Sequence, residues 1–327
     1  MKRRGHAGSS RLDGLGMCPL SDGDLQDIHL ASLEVLERTG LWVEAEDALD
    51  VFADGGCRID RETNRVRIPA ELVEAAIRST PPIIRWCGRD PRNDIVLGGG
   101  RLAFMNFGEA VQINDLTTGE NRHTAMSDVA DICTIVDWCS EIDVYEAAIT
   151  PRDCPVDVAT VHHFAEALPH ITKPMMFGPL SKIEQQACFD MAAAVAGGHD
   201  ALRERPITGF GMCSVSPLQL TEQGSDVCLE TARAGLPLSI LSMCMAGGTS
   251  PQTLAGTLVL HNAEVLAGIT LVQLAERGAP VLYSSSTTGM DLRRGAASVG
   301  TPETALLNAC ISQIAARYSI PCWVAGL

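Results

Sequence analysis

The sequence predicts an α/β fold: a (β/α)8 TIM barrel, incomplete in this chain at about six βα units, behind an N-terminal helical and small β region. Three observations lead there. From Ser127 onward, strand and helix patterns alternate without a break. Such alternation requires a parallel sheet, because each strand hands over to a helical crossover. The strand candidates begin near 142, 173, 206, 237, 280 and 321, at a regular interval, and several open just after a proline. Proline is tolerated at the first residue of a strand and stops the preceding helix. Finally, IDVYEAAI runs into TPRDCPVD with no Gly-rich phosphate turn, as an open nucleotide-binding sheet would carry there. The strand ends hold small and polar residues instead (Gly178, Ser214, Ser216, Met245, Gly247, Ser284–Ser286), where barrel enzymes keep their chemistry. The other architecture compatible with the pattern is a divergent open sheet.

Taken in order, residues 1–20 read as a flexible tail. MKRRGHAGSSR is basic but no apolar stretch follows, so it is no signal peptide, and Met17 is a second candidate start. Residues 21–126 form the N-terminal region. SDGDLQDIHLASLEVLERTG opens on a cap and acidic first turn and stops at Gly40, with Leu25, Ile28, Leu33 and Leu36 at helical spacing. Further helices are expected over 44–53 and 69–78. Residues 83–125 break into β-prone pieces (IIRWCG, DIVLGGG, RLAFMN), and AVQINDLTTGENRH reads as two strands around a glycine turn. Residues 127–327 form the partial barrel, with helices expected over 127–139, 157–168, 181–196, 221–234, within 251–277 and over 302–317. The strands are 142–149, 173–178, 206–213, 237–244, 280–286 and 321–326. A barrel short of two strands leaves unpaired edges.

The chain has 327 residues, 46% of them hydrophobic and 20% charged, enough apolar surface to offset chain entropy. A net charge of −15 argues against nucleic acid and anionic membranes as partners. No apolar run reaches the length of a membrane span. The twelve cysteines are scattered without paired spacing, which reads as reduced, buried side chains in a cytoplasmic protein.

The motifs are individually weak. His162, His163 and His170 lie on and beyond one helix, but adjacent histidines face different ways and no carboxylate completes a set, so no metal is expected. His261 and Glu264 share a helix face, read as a hydrogen-bonded pair. Ser214 and Ser216 in GFGMCSVSPL lack the G-x-S-x-G elbow of a hydrolase. In MAGGTSP, Thr249 or Ser250 is placed to cap the next helix. Strand-end position alone selects Ser216, Thr249, Ser250, Tyr283, Ser285 and Trp323 as substrate-binding candidates; an indole face can hold a cation, but core packing is the commoner role for a residue like Trp323. No nucleophile or acid/base dyad is legible, so the catalytic residues stay unknown.

The runs GFGMCSVSPLQL, SMCMAGGTSPQTLAGTLVLHNAEVLAG, YSSSTTGMDLRRGAASVGTPE and IPCWVAG resemble the trimethylamine:corrinoid methyltransferase family, with weaker likeness at ASLEVLERTGLWVE and GEAVQINDLTTGE. The resemblance runs from about residue 20 to 327. It implies a longer barrel of roughly 500 residues, and a pyrrolysine, read from an in-frame amber codon, directly after Leu327. It also implies transfer of a methyl group from trimethylamine to the Co(I) corrinoid (cobalamin) of a partner corrinoid protein, as in methanogenesis-type methylamine metabolism. No cofactor is expected to bind this chain directly, and a homo-oligomer is the expected assembly. Under this resemblance the 327 residues alone are expected to be inactive. Two alternatives stay open: a methyltransferase for glycine betaine or another quaternary amine, which needs no imine, and a non-catalytic fragment.

Overall fold

The computed structural model describes residues 17–325. Most of the expected tail, residues 1–16, and Gly326 and Leu327 lie outside the described residues. Of the expected tail, Leu20 is tied down: its N–H donates to Gln313 Oε1 and its carbonyl accepts from Gln313 Nε2. The chain divides into two compact units, residues 84–211 and, among the described residues, 17–83 with 212–325.

In the unit 84–211, strand β1 (Tyr145–Glu146) and strand β2 (Met175–Phe177) pair in parallel, and β2 pairs with the start of strand β3 (Thr208–Ser214). Helices α1 (Ala159–His170) and α2 (Lys182–Ala196) provide the crossovers. The side-chain alternation of a strand sorts the two faces. Tyr145, Met175, Phe177, Thr208 and Phe210 share one face by register; Glu146, Met176 and Gly209 share the other. The first face meets the helices. Phe177 packs on Phe164 at 4.9 Å and on His163 at 5.2 Å, and Phe210 packs on Phe189 of α2 at 5.0 Å.

Two antiparallel pairs precede the ladder. Ile84–Trp86 pairs with Ile95–Leu97, and Gln112–Asn114 with Asn121–His123, the hairpin expected around LTTGEN. Its turn is closed by Asp115, whose carboxylate accepts from the N–H groups of Thr117 and Thr118 and from Arg122. RLAFMN, expected as a strand, forms none. Gly98, Gly99 and Gly100 all hold positive φ just before it, and the Asp143 carboxylate takes the Phe104 N–H. Instead, Met105 and Ala110 make single parallel bridges to Val144 and Ile149, laying 105–110 beside β1.

In the other unit, residues 21–79 were expected to be mostly helical, and three strands correct that. Leu41–Val43 pairs antiparallel with Arg65–Arg67, which pairs with Arg58–Asp60, and Gln219–Leu220 adds in parallel to Leu41–Val43. Strands of three residues are too short to display a period of two. Gly40 makes the turn: its φ is 70°, and a Cβ there would sit 2.1 Å from the Val66 carbonyl oxygen. The helices fall where expected, at Asp22–Glu34, Glu46–Asp54 and Ala70–Ser79. The first ends in a π turn, Val35–Thr39, up to Gly40. Leu25, Ile28, Leu33 and Leu36 are all buried.

Strands β4 (Leu238–Ser242), β5 (Val281–Ser285) and β6 (Cys322–Val324) form a second parallel ladder, with Ile240 opposite Tyr283 and Ser284 opposite Trp323. Helices α3 (Glu222–Ala234), α4 (Leu254–Ala275) and α5 (Pro302–Arg317) connect or flank them. Helix α4 is 22 residues long and apolar enough to cross a membrane by composition, but it is buried on nearly every side. An all-round hydrophobic helix of that kind is a core element. Segments after β4 and β5 add a small sheet that the sequence did not announce, Met245–Ala246, Thr288–Asp291 and Ala296–Ser298.

Candidate active site

In the unit 84–211, the chemistry gathers at the end of β1. Glu146 sits on the face turned away from the helices, beside Met176 and the side-chain-free Gly209. Its backbone is gripped by Asn106, whose Nδ2 donates to the Glu146 carbonyl at 2.7 Å and whose Oδ1 accepts the Glu146 N–H at 3.0 Å. The Gly108 N–H donates to its carboxylate. Its Oε2 is buried and has no hydrogen-bond partner. Burial first, and the neighbouring Glu109 carboxylate second, push its pKa up to about 7. Glu109 stands at the rim, its Oε1 3.5 Å from where a Cβ on Gly178 would lie, and desolvation raises its pKa too. Glu109, His163, Phe177 and Gly178 line a cavity of about 60 Å³.

Behind this strand end lies a satisfied polar pair. Tyr145 Oη and His163 Nε2 are 2.6 Å apart, and His163 also bonds the Ile149 backbone. Burial lowers the His163 pKa to about 4, so the ring is neutral and accepts from the phenol. His163 is therefore a packed core residue. His170 lies 3.4 Å from Glu166 on the exposed side of α1, and the histidines do not converge. Among the described residues no group of three or more His, Cys, Asp or Glu is placed to hold a metal.

The six strand-end candidates all fall in the other unit, and no side-chain hydrogen bond joins any two of them. Ser216 donates to Glu264 Oε2 at 2.8 Å. Thr249 Oγ1 accepts the Met245 N–H, and Ser250 Oγ lies 2.9 Å from Thr257 Oγ1. Neither caps α4, as expected for one of them; Thr253 does, accepting from the Gly256 N–H. The chain makes a small bridge at Ala246 and Ser250 first, which delays the helix start past both residues. Tyr283 is fully buried and donates to Asn262 Oδ1 of α4 at 2.8 Å. Ser285 is equally buried and accepts the Thr287 N–H. Both lie on the helix side of the ladder. Trp323 pairs beside Ser284, on the opposite face from Tyr283, and is half-buried.

What the sequence undervalued in this unit is Glu264. Its carboxylate accepts from Ser242 at 2.6 Å, Ser216 at 2.8 Å, Ser214 at 3.1 Å and the Leu218 N–H at 2.8 Å. It ties Ser214, the loop after it and β4 to α4. Its expected partner His261 is elsewhere engaged: His261 Nδ1 lies 3.0 Å from Thr287 Oγ1, and burial lowers its pKa to about 3. Burial also raises the Cys244 thiol to about 11, so it is protonated and no nucleophile at neutral pH. Glu146 was missed although one signal marked it: it is the charged residue directly after Tyr145 in an otherwise apolar strand end, YEAAI.

Parallel strands with polar groups at their carboxyl ends and helical crossovers define an α/β protein. The crystal structure of the Methanosarcina barkeri monomethylamine methyltransferase MtmB superimposes with a TM-score of 0.55 over 93% of this chain and 67% of that one, at 14% identity. The hydroxylamine complex of MtmB gives 0.56. The chain belongs to the trimethylamine methyltransferase (MTTB) family, whose sequence profile matches residues 13–327. It is 47% identical over 320 residues to the trimethylamine methyltransferase MttB of Desulfitobacterium hafniense, covering 98% of this chain and 64% of that relative. Identity to the MttB of Methanosarcina barkeri is 36% over 332 residues, covering 99% and 67%. A glycine betaine methyltransferase of Desulfitobacterium hafniense is 33% identical over 303 residues, covering 92% and 63%. The chain thus spans about two thirds of the length of these relatives.

Proposed function

We propose that this chain serves methyl transfer from trimethylamine to the Co(I) corrinoid of a cognate corrinoid protein, in the cytoplasm. The observation that carries the reading is the 47% identity along 98% of the chain to a protein named trimethylamine methyltransferase. The corrinoid is the methyl acceptor, so here it is a substrate carried by a partner. Trimethylamine is a poor methyl donor because its leaving group is a strongly basic amide. An electrophilic imine such as that of pyrrolysine would supply activation by making the nitrogen quaternary. We retain the reading in which residues 127–327 contribute six βα units to a TIM barrel. Within it, Trp323 is the strand-end candidate whose register turns it away from the helices. What the present residues supply is orientation and a water-poor pocket.

The test is methylation of a Co(I) corrinoid protein followed by its visible spectrum, with trimethylamine and glycine betaine as alternative donors. Methyl-cobalt formation with trimethylamine alone supports the proposal. Formation with glycine betaine alone supports the quaternary-amine reading that the 33% identical relative favours. No transfer with either, from the chain together with whatever follows Leu327 in its gene, leaves a non-catalytic fragment.

A further inference from the structure

We infer that Glu146 is the seat of the amine's nitrogen: its orphaned Oε2 accepts the N–H of a protonated tertiary amine and takes that proton, freeing the lone pair. The inference rests on the reading that the substrate is trimethylamine, and it assigns a task that reading leaves open. A tertiary alkylamine is a cation at neutral pH, much as a lysine is. In that form nitrogen has no lone pair with which to attack anything. The step is a plain proton transfer: the N–H bond breaks, an O–H bond forms on the carboxylate, and the electron pair stays on nitrogen. A trialkylammonium ion and a carboxylate become a neutral amine and a neutral acid, with no other reactant needed.

Four features of the site fit this task. An ionised carboxylate is acceptor-only, and a buried acceptor without a donor is rare enough to require a reason. The Gly108 N–H and the Asn106 clasp hold the residue in place, so its free oxygen is fixed in direction. Its neighbours Glu109 and Ala147 line the cavity of about 60 Å³ at this strand end, which offers a small branched cation a place beside it. Glu109 adds a second negative charge beside it. The raised pKa of Glu146 narrows its gap to an alkylammonium, which is what a base needs.

The charged surroundings are few. On its own strand Asp143 accepts the Phe104 N–H and interacts with Lys173. From the flanking segment comes Glu109. Across the strand the Tyr145–His163 pair is neutral. The neighbours on β2 and β3, Met176 and Gly209, do not titrate.

A quaternary ammonium ion has no N–H, so it isolates the claim. Calorimetric titration of the 327-residue chain with trimethylammonium chloride and with tetramethylammonium chloride, across pH, reads it directly without turnover. We expect trimethylammonium to bind roughly tenfold more tightly above about pH 7, a difference of one good charged hydrogen bond. The preference should fade as pH drops through about 7 and Glu146 becomes protonated. Glu146→Gln should abolish both the preference and its pH dependence. Glu146→Asp, which keeps the charge, should retain the pH dependence at weaker affinity. Glu109→Gln should keep the preference and move its midpoint to lower pH, because a like charge is gone. Equal binding of the two cations, no binding of either, a preference that survives in Glu146→Gln, or an unmoved midpoint in Glu109→Gln would each overturn the inference. A preserved amine preference here, with no methyl transfer in the corrinoid assay described above, would overturn the functional reading and leave the amine seat standing.

Discussion

Glu146 at a strand end of one compact unit and Glu264 on α4 of the other both hold carboxylate oxygens out of water, in opposite surroundings. Glu264 receives four donors, three serine hydroxyls and a backbone N–H, so every demand of its charge is met by protein. Glu146 keeps one carboxylate oxygen buried and unpartnered, with a second carboxylate for a neighbour. A folded chain rarely leaves a buried acceptor unmatched. The difference teaches that burial of a carboxylate says little by itself. The donor count separates a residue that holds the fold from one that waits for a ligand.

The sharpest way to break this comparison is to remove each charge. Glu264→Leu orphans four donors, each costing about 1–3 kcal/mol when left dry, and we expect a loss of at least about 4 kcal/mol in urea unfolding. Glu146→Leu removes a carboxylate that one backbone N–H and no side chain is seen to satisfy, and we expect stability to hold or rise by up to about 1 kcal/mol. Equal losses in the two variants would show that Glu146 is structural as well.

Stability against pH sharpens it further. Glu146 is raised from its ordinary 4.5 to about 7, so the folded state holds a proton that the unfolded chain has released between those values. Its contribution is complete below about 4.5 and is lost as pH rises through about 7. A shift of that size corresponds to about 3 kcal/mol. His163, lowered to about 4, and His261, lowered to about 3, act in the other direction: the unfolded chain protonates first, and stability falls as pH drops below about 6.5. The difference between the unfolding profiles of the parent chain and Glu146→Gln isolates the glutamate. We expect the parent's relative stability to decline across pH 4.5 to 7, and a flat difference would remove the case for a burdened carboxylate.

A smaller effect concerns the pair behind the site. Tyr145→Phe removes the hydroxyl that His163 Nε2 accepts from, leaving a buried nitrogen unmatched. We expect a loss of about 1–2 kcal/mol, and, if Glu146 alone seats the amine, no change in trimethylammonium affinity. A change in affinity instead would extend the site through the strand to the helix side.

The same contrast explains what was legible in the sequence. The βα rhythm was, since each strand of the two ladders and each main helix falls within a few residues of its expected place, from Met126–Trp138 to Pro302–Arg317. Their signal is a period sustained over many residues. The three-residue strands Leu41–Val43, Arg58–Asp60 and Arg65–Arg67 carried no such period and were lost among helices. The site was less legible because strand-end position does not say which face a side chain takes. Tyr283 and Ser285 were chosen for position, and register turned both toward α4. Glu146 required knowing that a donor was absent, and absence of a partner is a property of three dimensions.

The smallest effect tests whether the loop after β4 belongs with the supporting unit in this contrast. Thr253 caps α4 through the Gly256 N–H, so Thr253→Ala should cost about 1 kcal/mol, the usual price of a lost helix cap. Thr249 instead accepts the Met245 N–H four residues back, within its own loop. Thr249→Ala therefore frees one half-buried N–H and leaves the helix end intact, and we expect about half that loss. Should Thr249→Ala cost more than Thr253→Ala, the loop rather than the cap fixes the start of α4. The strand-end serines and threonines would then support the fold more strongly than their hydrogen bonds indicate.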